Sequence, residues 1–269
     1  MALDDLNARG LVLLGCGKMG SALLQGWLAQ GVQPDAVYVI DPQPSDWVRA
    51  QGVTINGALP DDPAIVLIAV KPQMMGDALG ALQSLKGDTV FLSVAAGTPI
   101  ATFEAAFGSQ AAIVRSMPNT PAAVGRGITA IVGNANASPA HLDLAEALLS
   151  AVGQVVRLSD EDQIDAVTGV SGSGPAYVFH LIETLAAAGV AQGLPADMAM
   201  QLAKATVAGA GELAARAEET PSQLRVNVTS PNGTTQAALE VLMDEERGFP
   251  PLLKRAVKAA TDRGRELRS

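Results

Sequence analysis

The chain has 269 residues, 48% of them apolar, so it can bury a full core and has room for two domains. A net charge of −9 argues against a nucleic-acid partner, and two histidines with one cysteine are too few ligands for a transition-metal site. The acidic opening lacks the features of a signal peptide, and no uncharged apolar run approaches the roughly 20 residues that span a bilayer. We therefore expect a cytoplasmic protein without a membrane partner, whose chemistry rests on an organic cofactor.

Up to about residue 158, short apolar runs alternate with amphipathic stretches. Continuous apolar runs are typical of parallel strands that helices cover on both faces. We predict strands at 11–14, 37–40, 65–70, 89–94, 112–114, 128–132 and 155–158. We predict helices between them at 21–30, 73–85 and 139–151. This rhythm indicates an α/β, Rossmann-like, doubly wound domain over residues 1–160.

A glycine motif follows the first predicted strand and opens the first helix. Gly15 suits a tight turn, Gly17 lets backbone approach a pyrophosphate, and Gly20 lets helix and strand pack closely. The pattern predicts a dinucleotide site, with a plain glycine-rich turn as the structural alternative. Asp41 ends the second strand, where it could accept a hydrogen bond from a ribose 2′-hydroxyl and favour NADH. An ordinary turn aspartate before Pro42 is the alternative.

The next three strands each end in residues suited to a ligand. Lys71 and Pro72 follow one strand, a run of small residues at 93–97 ends the next, and a loop with two prolines at 115–121 ends the third. Ligands of doubly wound sheets bind at the carboxyl ends of the strands. These loops therefore predict cofactor contacts, although Lys71 could equally be a solvated loop residue.

After residue 160, alanine, leucine, glutamate and glutamine replace the β-branched runs, which predicts an all-helical domain over residues 161–269. We predict helices at 162–192, 196–218, 234–243 and 250–267. Thr220 before Pro221 and Ser230 before Pro231 are typical of helix starts. Helices so rich in alanine bury little area each, so we expect this domain to pack against a second copy of the chain.

Six segments occur in an order and spacing that resemble one family. They read GxGxMG from Gly15, AVKP from Ala69, AAG from Ala95, MxNTP from Met117, DAVTGxSGSGPAY from Asp165 and SPxGxT from Ser230. The chain resembles the Δ1-pyrroline-5-carboxylate reductase family of proline biosynthesis over nearly its whole length. The last two segments are close to diagnostic, whereas the first is shared by many dehydrogenases.

The resemblance implies that NADPH or NADH reduces the C=N bond of 1-pyrroline-5-carboxylate to give L-proline, with the cofactor preference open. It also implies that the helical domain interleaves with its twin in a homodimer, with a higher oligomer such as a decamer left open. It places the active site between one cofactor domain and the helices of the dimer. The residues that the resemblance implies to hold the cofactor are Gly15, Gly17, Lys18, Met19, Gly20, Asn56, Ala69, Lys71, Ala96 and Asn119. Asp41, Pro72 and Gly97 are added to this cofactor set because of their positions at the ends of predicted strands.

For the substrate, the resemblance implies a carboxylate clamp. Its members are Ser230, Thr234, the backbone amides of Asn232 and Gly233, and Thr235, whose hydroxyl would point to the ring nitrogen. A plain helix cap is the structural alternative for this turn. Ser230, Thr235, Lys71 and Glu218 are the implied catalytic residues, and the role of Glu218 is the least defined.

Two positions depart from the family pattern. Asp41 stands where members that prefer NADPH tend to have small hydroxyl or cationic residues, and Asn232 replaces a common glycine. Asparagine tolerates the positive φ that glycine would supply.

We expect the protein to contribute mainly orientation, because a protonated imine is already electrophilic and neither His141 nor His180 lies where a general acid is needed. Two other functions are considered. A β-hydroxyacid dehydrogenase would need a catalytic lysine in the helical domain, and Lys204 lacks the GxxxNxxK pattern that would surround one. A non-catalytic NAD-sensing protein would have no use for a carboxylate clamp.

Overall fold

A computed structural model describes residues 2–85 and 87–268. It contains an eight-stranded sheet in the order β3-β2-β1-β4-β5-β6-β7-β8. Neighbouring strands are parallel except β6 and β7, which run antiparallel. The strands are β1 Leu11–Leu14, β2 Val37–Ile40, β3 Thr54–Ile55, β4 Ile65–Ile68, β5 Val90–Ser93, β6 Ala112–Met117, β7 Gly127–Gly133 and β8 Gly153–Arg157.

Helices precede, connect and follow these strands. They are α1 Ala2–Arg9, α2 Lys18–Ala29, α3 Asp46–Arg49, α4 Met75–Leu79, α5 Ile100–Phe107, α6 Pro139–Leu149 and α7 Gln163–Val167. The segment predicted to be helical at 73–85 is helical as far as Leu82 but is not a single α-helix. The structure instead has a 3-10 turn at Pro72–Met74, the short α4 and a second 3-10 turn at Gly80–Leu82. Glycines at 76 and 80 lower the helical propensity of this segment.

The predicted helix at 162–192 is three segments. The short α7 passes into a π-helical turn at Thr168–Gly172, and α8 then runs over Gly174–Ala191. Pro175 is the second residue of α8. A proline is tolerated there because the first amides of a helix have no intrahelical acceptor. The remaining helices are α9 Ala196–Arg216, α10 Pro221–Asn227, α11 Thr234–Leu242 and α12 Phe249–Glu266.

The chain forms two compact units. Unit 1 contains the residues up to Gly172 together with those from Ala260 onward, and unit 2 is Ser173–Ala259. The end of α12 therefore belongs to unit 1. The sequence predicts a domain boundary between residues 160 and 161, which differs from the boundary between the two compact units. The predicted domain boundary stays a prediction.

The core of unit 1 lies on both faces of its sheet. Leu13 and Leu67 face one side with Trp27, whose indole N–H donates to the Leu148 carbonyl at 2.9 Å. Val12, Ile68 and Phe103 belong to the cluster on the other side. Both sides are covered, which is why β1 and β4 are continuous apolar runs.

Unit 2 has a small core of its own. Ala186, Ala199 and Ala203 are its buried apolar residues, with Ile182 and Met200 packed against them. Many larger apolar side chains of α8 to α12 are exposed in the single chain. Within the described residues, no helix has the length and apolar character needed to cross a bilayer, and no cluster of His, Cys, Asp and Glu could hold a metal ion.

Candidate active site

The glycine turn between β1 and α2 is built as the motif requires. Gly15 has φ +86°, and a Cβ there would lie 2.9 Å from Val70 Cγ1. A Cβ on Gly20 would collide with the Gly15 carbonyl oxygen, so this glycine lets the helix approach the turn. A Cβ on Gly17 would meet no atom within 4 Å, so this backbone faces open space. These features fit a turn over which a pyrophosphate lies.

The first turn of α2 supplies the groups that such an anion needs. Gly17 is the N-cap, and among the described residues no side chain caps the helix. The amide groups of the first turn therefore point outward with the positive end of the helix dipole. Lys18 is exposed at this end, and Met19 packs partly against the core. The residues present fit the phosphates of a dinucleotide.

Asp41 and Asn56 join the ends of β2 and β3. The Asp41 carboxylate accepts from the Cys16 amide at 2.7 Å and from the Gln43 amide at 2.8 Å. The Asn56 side chain pairs with the backbone of Asp41 in both directions, accepting from its N–H at 3.0 Å and donating to its carbonyl at 2.8 Å. Asn56 has φ +50°, a conformation that asparagine tolerates better than most residues. The two predicted residues are therefore neighbours beside the glycine turn.

Lys71 and Ala69 lie after β4. The Ala69 amide donates to the Leu14 carbonyl at 2.8 Å, which extends the β1 pairing, and Lys71 is exposed. Pro72 begins a 3-10 turn, but its side chain lies outside the described part of the structure. The β4 end thus presents a cation at the same sheet edge as the glycine turn.

The small residues after β5 leave room at this edge. Ala96 is exposed, and Gly97 has φ +77°. A Cβ on Gly97 would lie 3.6 Å from the Leu267 carbonyl oxygen, so the end of the chain borders this turn. A flat ring could lie against such a surface, and the roles of both residues stay predictions.

Asn119 lies in the loop after β6, and its side chain is engaged on both sides. Its Oδ1 accepts from the Ile128 amide at 2.9 Å, and its Nδ2 donates to the Ser171 carbonyl at 3.3 Å. The loop is therefore tied to β7 and to the π-helical turn. Contact with a cofactor stays a prediction for Asn119, whose described bonds are structural.

In unit 2, the predicted clamp is a turn that leads into α11. The helix begins at Thr234 with Gly233 as its N-cap, so the expectation that Ser230 caps a helix is wrong. The Gly233 amide instead donates to the Ser230 carbonyl at 3.0 Å, which closes a turn. Asn232 has φ +56°, a conformation that asparagine tolerates better than most residues. Its amide donates to Gln236 Oε1 at 2.8 Å.

These bonds change which groups of the turn are open to a ligand. The two amides predicted to bind the carboxylate, those of Asn232 and Gly233, already have acceptors within the chain. The amides of Thr234 and Thr235 lie in the first turn of α11, where no intrahelical carbonyl is available and, among the described residues, no side chain caps the helix. Glu218 lies exposed between α9 and α10.

The sequence did not predict a buried ion pair that lies near the sheet edge where the cofactor is expected to bind. Arg115 on β6 is 1% exposed, and its guanidinium donates to Glu161 Oε1 at 2.6 Å. The same oxygen accepts from the Ile100 amide at 2.9 Å. A single charge inside an apolar strand was the available signal, because buried charges need a partner.

The histidines are placed as expected. His141 belongs to α6, where its Nδ1 accepts from the Ser138 amide at 3.2 Å in a capping box. His180 is exposed on α8 beside Glu183.

Comparisons with known proteins agree over nearly the whole chain. Residues 161–267 match the family model described as pyrroline-5-carboxylate reductase dimerisation, and residues 11–97 match that described as NADP oxidoreductase coenzyme F420-dependent. Pyrroline-5-carboxylate reductase of Pseudomonas aeruginosa is 40% identical over 264 residues, covering 96% of each chain. The chain belongs to the pyrroline-5-carboxylate reductase family. The pea reductase is 37% identical over 98% of this chain and 97% of its own.

Solved structures of pyrroline-5-carboxylate reductases give the same result. The reductase of Coxiella burnetii superposes with a TM-score of 0.91 at 33% identity, over 97% of this chain and 99% of its own. That of Plasmodium falciparum, solved with NADP bound, has a TM-score of 0.80 at 28% identity, over 97% and 98%. The predicted family and fold class, a doubly wound domain followed by a helical one, are confirmed, and both rival families considered from the sequence are set aside.

Proposed function

We propose that this protein reduces the C=N bond of 1-pyrroline-5-carboxylate to give L-proline, using a reduced nicotinamide dinucleotide. Membership of the reductase family is the observation that carries the proposal. The open face of Gly17 and the uncapped start of α2 support the dinucleotide.

The carboxylate of the substrate binds, in this proposal, at the start of α11. The amides of Thr234 and Thr235 and the hydroxyl of Ser230 are the groups that support this assignment. A helix start favours an anion because its free N–H groups and its dipole both carry positive charge. The amides of Asn232 and Gly233, which the resemblance also implies, would join only after giving up their present acceptors.

The protein then acts mainly through orientation. When bound, a reduced nicotinamide would supply the hydride for the carbon of the protonated imine, whose nitrogen would become the amine. Thr235 would steady that nitrogen through its hydroxyl, and the clamp would fix the ring. Holding two reactants in a productive geometry can lower a barrier by several kcal/mol. Lys71 and Glu218 are proposed to act electrostatically, the first beside the dinucleotide and the second near the substrate.

Initial rates of pyrroline-5-carboxylate reduction, followed by the loss of nicotinamide absorbance, test the activity. We expect turnover, and we expect Thr235→Ala to lower kcat/KM by about tenfold to a hundredfold, since a misplaced substrate reacts more slowly. Thr235→Ser keeps the hydroxyl and should retain most of the activity. Full turnover of Thr235→Ala with an unchanged KM would remove Thr235 from the mechanism.

Assembly and location extend this proposal. The helical region matches a dimerisation model, so the protein is a dimer through this region, and the decamer remains a proposal for light scattering to decide. We propose a cytoplasmic location on the basis of the single cysteine, which excludes an internal disulfide. The acidic net charge supports the expectation that no nucleic acid binds.

A further inference from the structure

The carboxylate of Asp41 is held in place beside the glycine turn. Its Oδ2 accepts from the Cys16 amide at 2.7 Å, and its Oδ1 accepts from the Gln43 amide at 2.8 Å. Each oxygen thus has one backbone partner, and the two partners come from different loops. A carboxylate fixed at both oxygens cannot rotate away from a ligand that approaches it.

The backbone of Asp41 is held as well. The side-chain amide of Asn56 bonds to both its N–H and its carbonyl, and the Asn56 amide donates to the Val39 carbonyl at 2.8 Å. The end of β2 is therefore tied to the end of β3 independently of the carboxylate. The negative charge stands at a defined position next to the turn that fits the pyrophosphate.

This arrangement favours a ribose that carries a 2′-hydroxyl over one that carries a 2′-phosphate. An ionised carboxylate has about four lone-pair sites and only accepts hydrogen bonds. Two of the sites are used by Cys16 and Gln43, so the carboxylate can still accept from a ribose 2′-hydroxyl. A 2′-phosphate carries about −1.5 to −2 charges near neutral pH and offers no comparable donor, so it meets like charge.

Within the described residues, no cation is ion-paired with the Asp41 carboxylate. Among residues 2–85 and 87–268, Asp41 forms no ion pair, and neither does Arg49 at the end of α3. Arg49 is exposed and is the basic residue of that short helix. A 2′-phosphate would therefore bring its charge to a fixed carboxylate that no paired cation neutralises.

We propose that Asp41 makes this protein selective for NADH over NADPH. The inference rests on the proposed function for its physiological meaning, but the selectivity concerns the nucleotide alone. Asp41 acts as a direct partner of the adenosine ribose, and Asn56 acts as the positioning residue that fixes it.

The first test uses the unaltered protein and no imine. Calorimetry would measure the binding of NAD⁺ and NADP⁺, and then of 5′-AMP and adenosine 2′,5′-bisphosphate, which differ in the same 2′-phosphate. We expect the 2′-hydroxyl form of each pair to bind at least about tenfold more tightly at low salt, with a smaller ratio at high salt because exposed charges are screened. Equal affinities, or tighter NADP⁺ binding, would overturn the inference.

The second test changes the charge. Asp41→Asn keeps the shape and should reduce the NAD⁺ to NADP⁺ affinity ratio by about tenfold, mainly through tighter NADP⁺ binding. Asp41→Ser provides a second variant of different shape. Asp35→Asn is the matched control, because Asp35 is an exposed carboxylate that precedes β2 at the other end of the same strand, and it should leave the ratio unchanged.

The outcomes separate this inference from the proposed function. NAD⁺ selectivity that Asp41→Asn abolishes supports the inference even if the imine is never reduced. Turnover of the imine with equal kcat/KM for NADH and NADPH supports the proposed function and overturns the inference. An unchanged ratio in both Asp41 variants would also overturn it.

Discussion

The two units of this protein differ in how they bury apolar side chains. In unit 1, large residues such as Trp27, Phe103 and Leu67 are fully buried on the two faces of the sheet. In unit 2, the buried apolar residues are Ala186, Ala199 and Ala203, whereas larger side chains of the same helices are exposed.

This difference indicates which unit needs a second copy of the chain to bury its apolar side chains. Scattered exposed apolar residues are normal on a monomer, but an apolar surface spread over several helices is typical of an interface. Phe179, Leu202 and Leu213 are 59%, 50% and 55% exposed in the single chain. Because this region matches a dimerisation model, a second copy of the chain is expected to cover these side chains.

The largest expected effect tests this interpretation directly. Phe179→Glu should abolish the dimer at micromolar protein concentration, because a carboxylate would be buried without a partner in the interface. Val156→Glu is the control, since Val156 is an exposed apolar residue of unit 1, 42% exposed on β8. Sedimentation velocity would show the two molecular masses. A stable dimer for both variants would mean that α8 lies outside the interface.

An intermediate effect should distinguish the ion pairs of the two units. Glu161→Gln leaves Arg115 buried without an opposite charge, and we expect a loss of about 3 kcal/mol in the free energy of unfolding. Glu212→Gln removes the charge from a surface pair with Arg216 on α9, which should cost about 0 to 0.5 kcal/mol. Urea unfolding at one protein concentration compares them. Equal losses would show that the Arg115 pair has no special importance.

The smallest effect concerns the thiol of Cys16 in unit 1. Burial raises its pKa above the usual 9.0, although a hydrogen bond with Ser21 acts in the opposite direction. Alkylation by iodoacetamide should therefore be slower in the folded than in the urea-unfolded chain, and its rate should still rise above about pH 9. This raised pKa also makes the free energy of unfolding depend on pH. The contribution of the buried thiol to stability is fully present below about pH 9, and it is lost as the pH rises through the pKa of Cys16 in the folded chain.

Cys16→Ser serves as the control for this experiment, because it should show no labelling and no such pH dependence. Equal labelling rates for the folded and unfolded chains at pH 8 would contradict the burial of the thiol.

The sequence predicted β1, β2 and β4 well because each is a continuous apolar run. It did not predict β3, since Thr54 and Ile55 are too short a run to show a period. Nor could it predict that β7 runs antiparallel to β6, because strand direction depends on how the connecting loop turns. The predicted helix at 73–85 is divided into a short α-helix between two 3-10 turns, in a segment that contains Gly76 and Gly80.

The sequence predicted which loops form the candidate site, but it did not predict the hydrogen bonds within and between those loops. Gly15, Gly17 and Gly20 have the geometry that their motif predicts. The pairing of Asn56 with Asp41 depends on two strands lying side by side, and no sequence spacing indicates it. The same is true of Gln236, whose side chain holds the Asn232 amide at the start of α11.

The return of the chain to unit 1 has a consequence for its synthesis. Asp165 on α7 is buried, and its ion-pair partner Arg268 lies beyond the whole of unit 2 in the sequence. During translation, the segment up to Gly172 emerges long before that arginine does. A buried carboxylate without a counter-charge is costly, so we expect α7 to reach its final packing only after Arg268 has been synthesised.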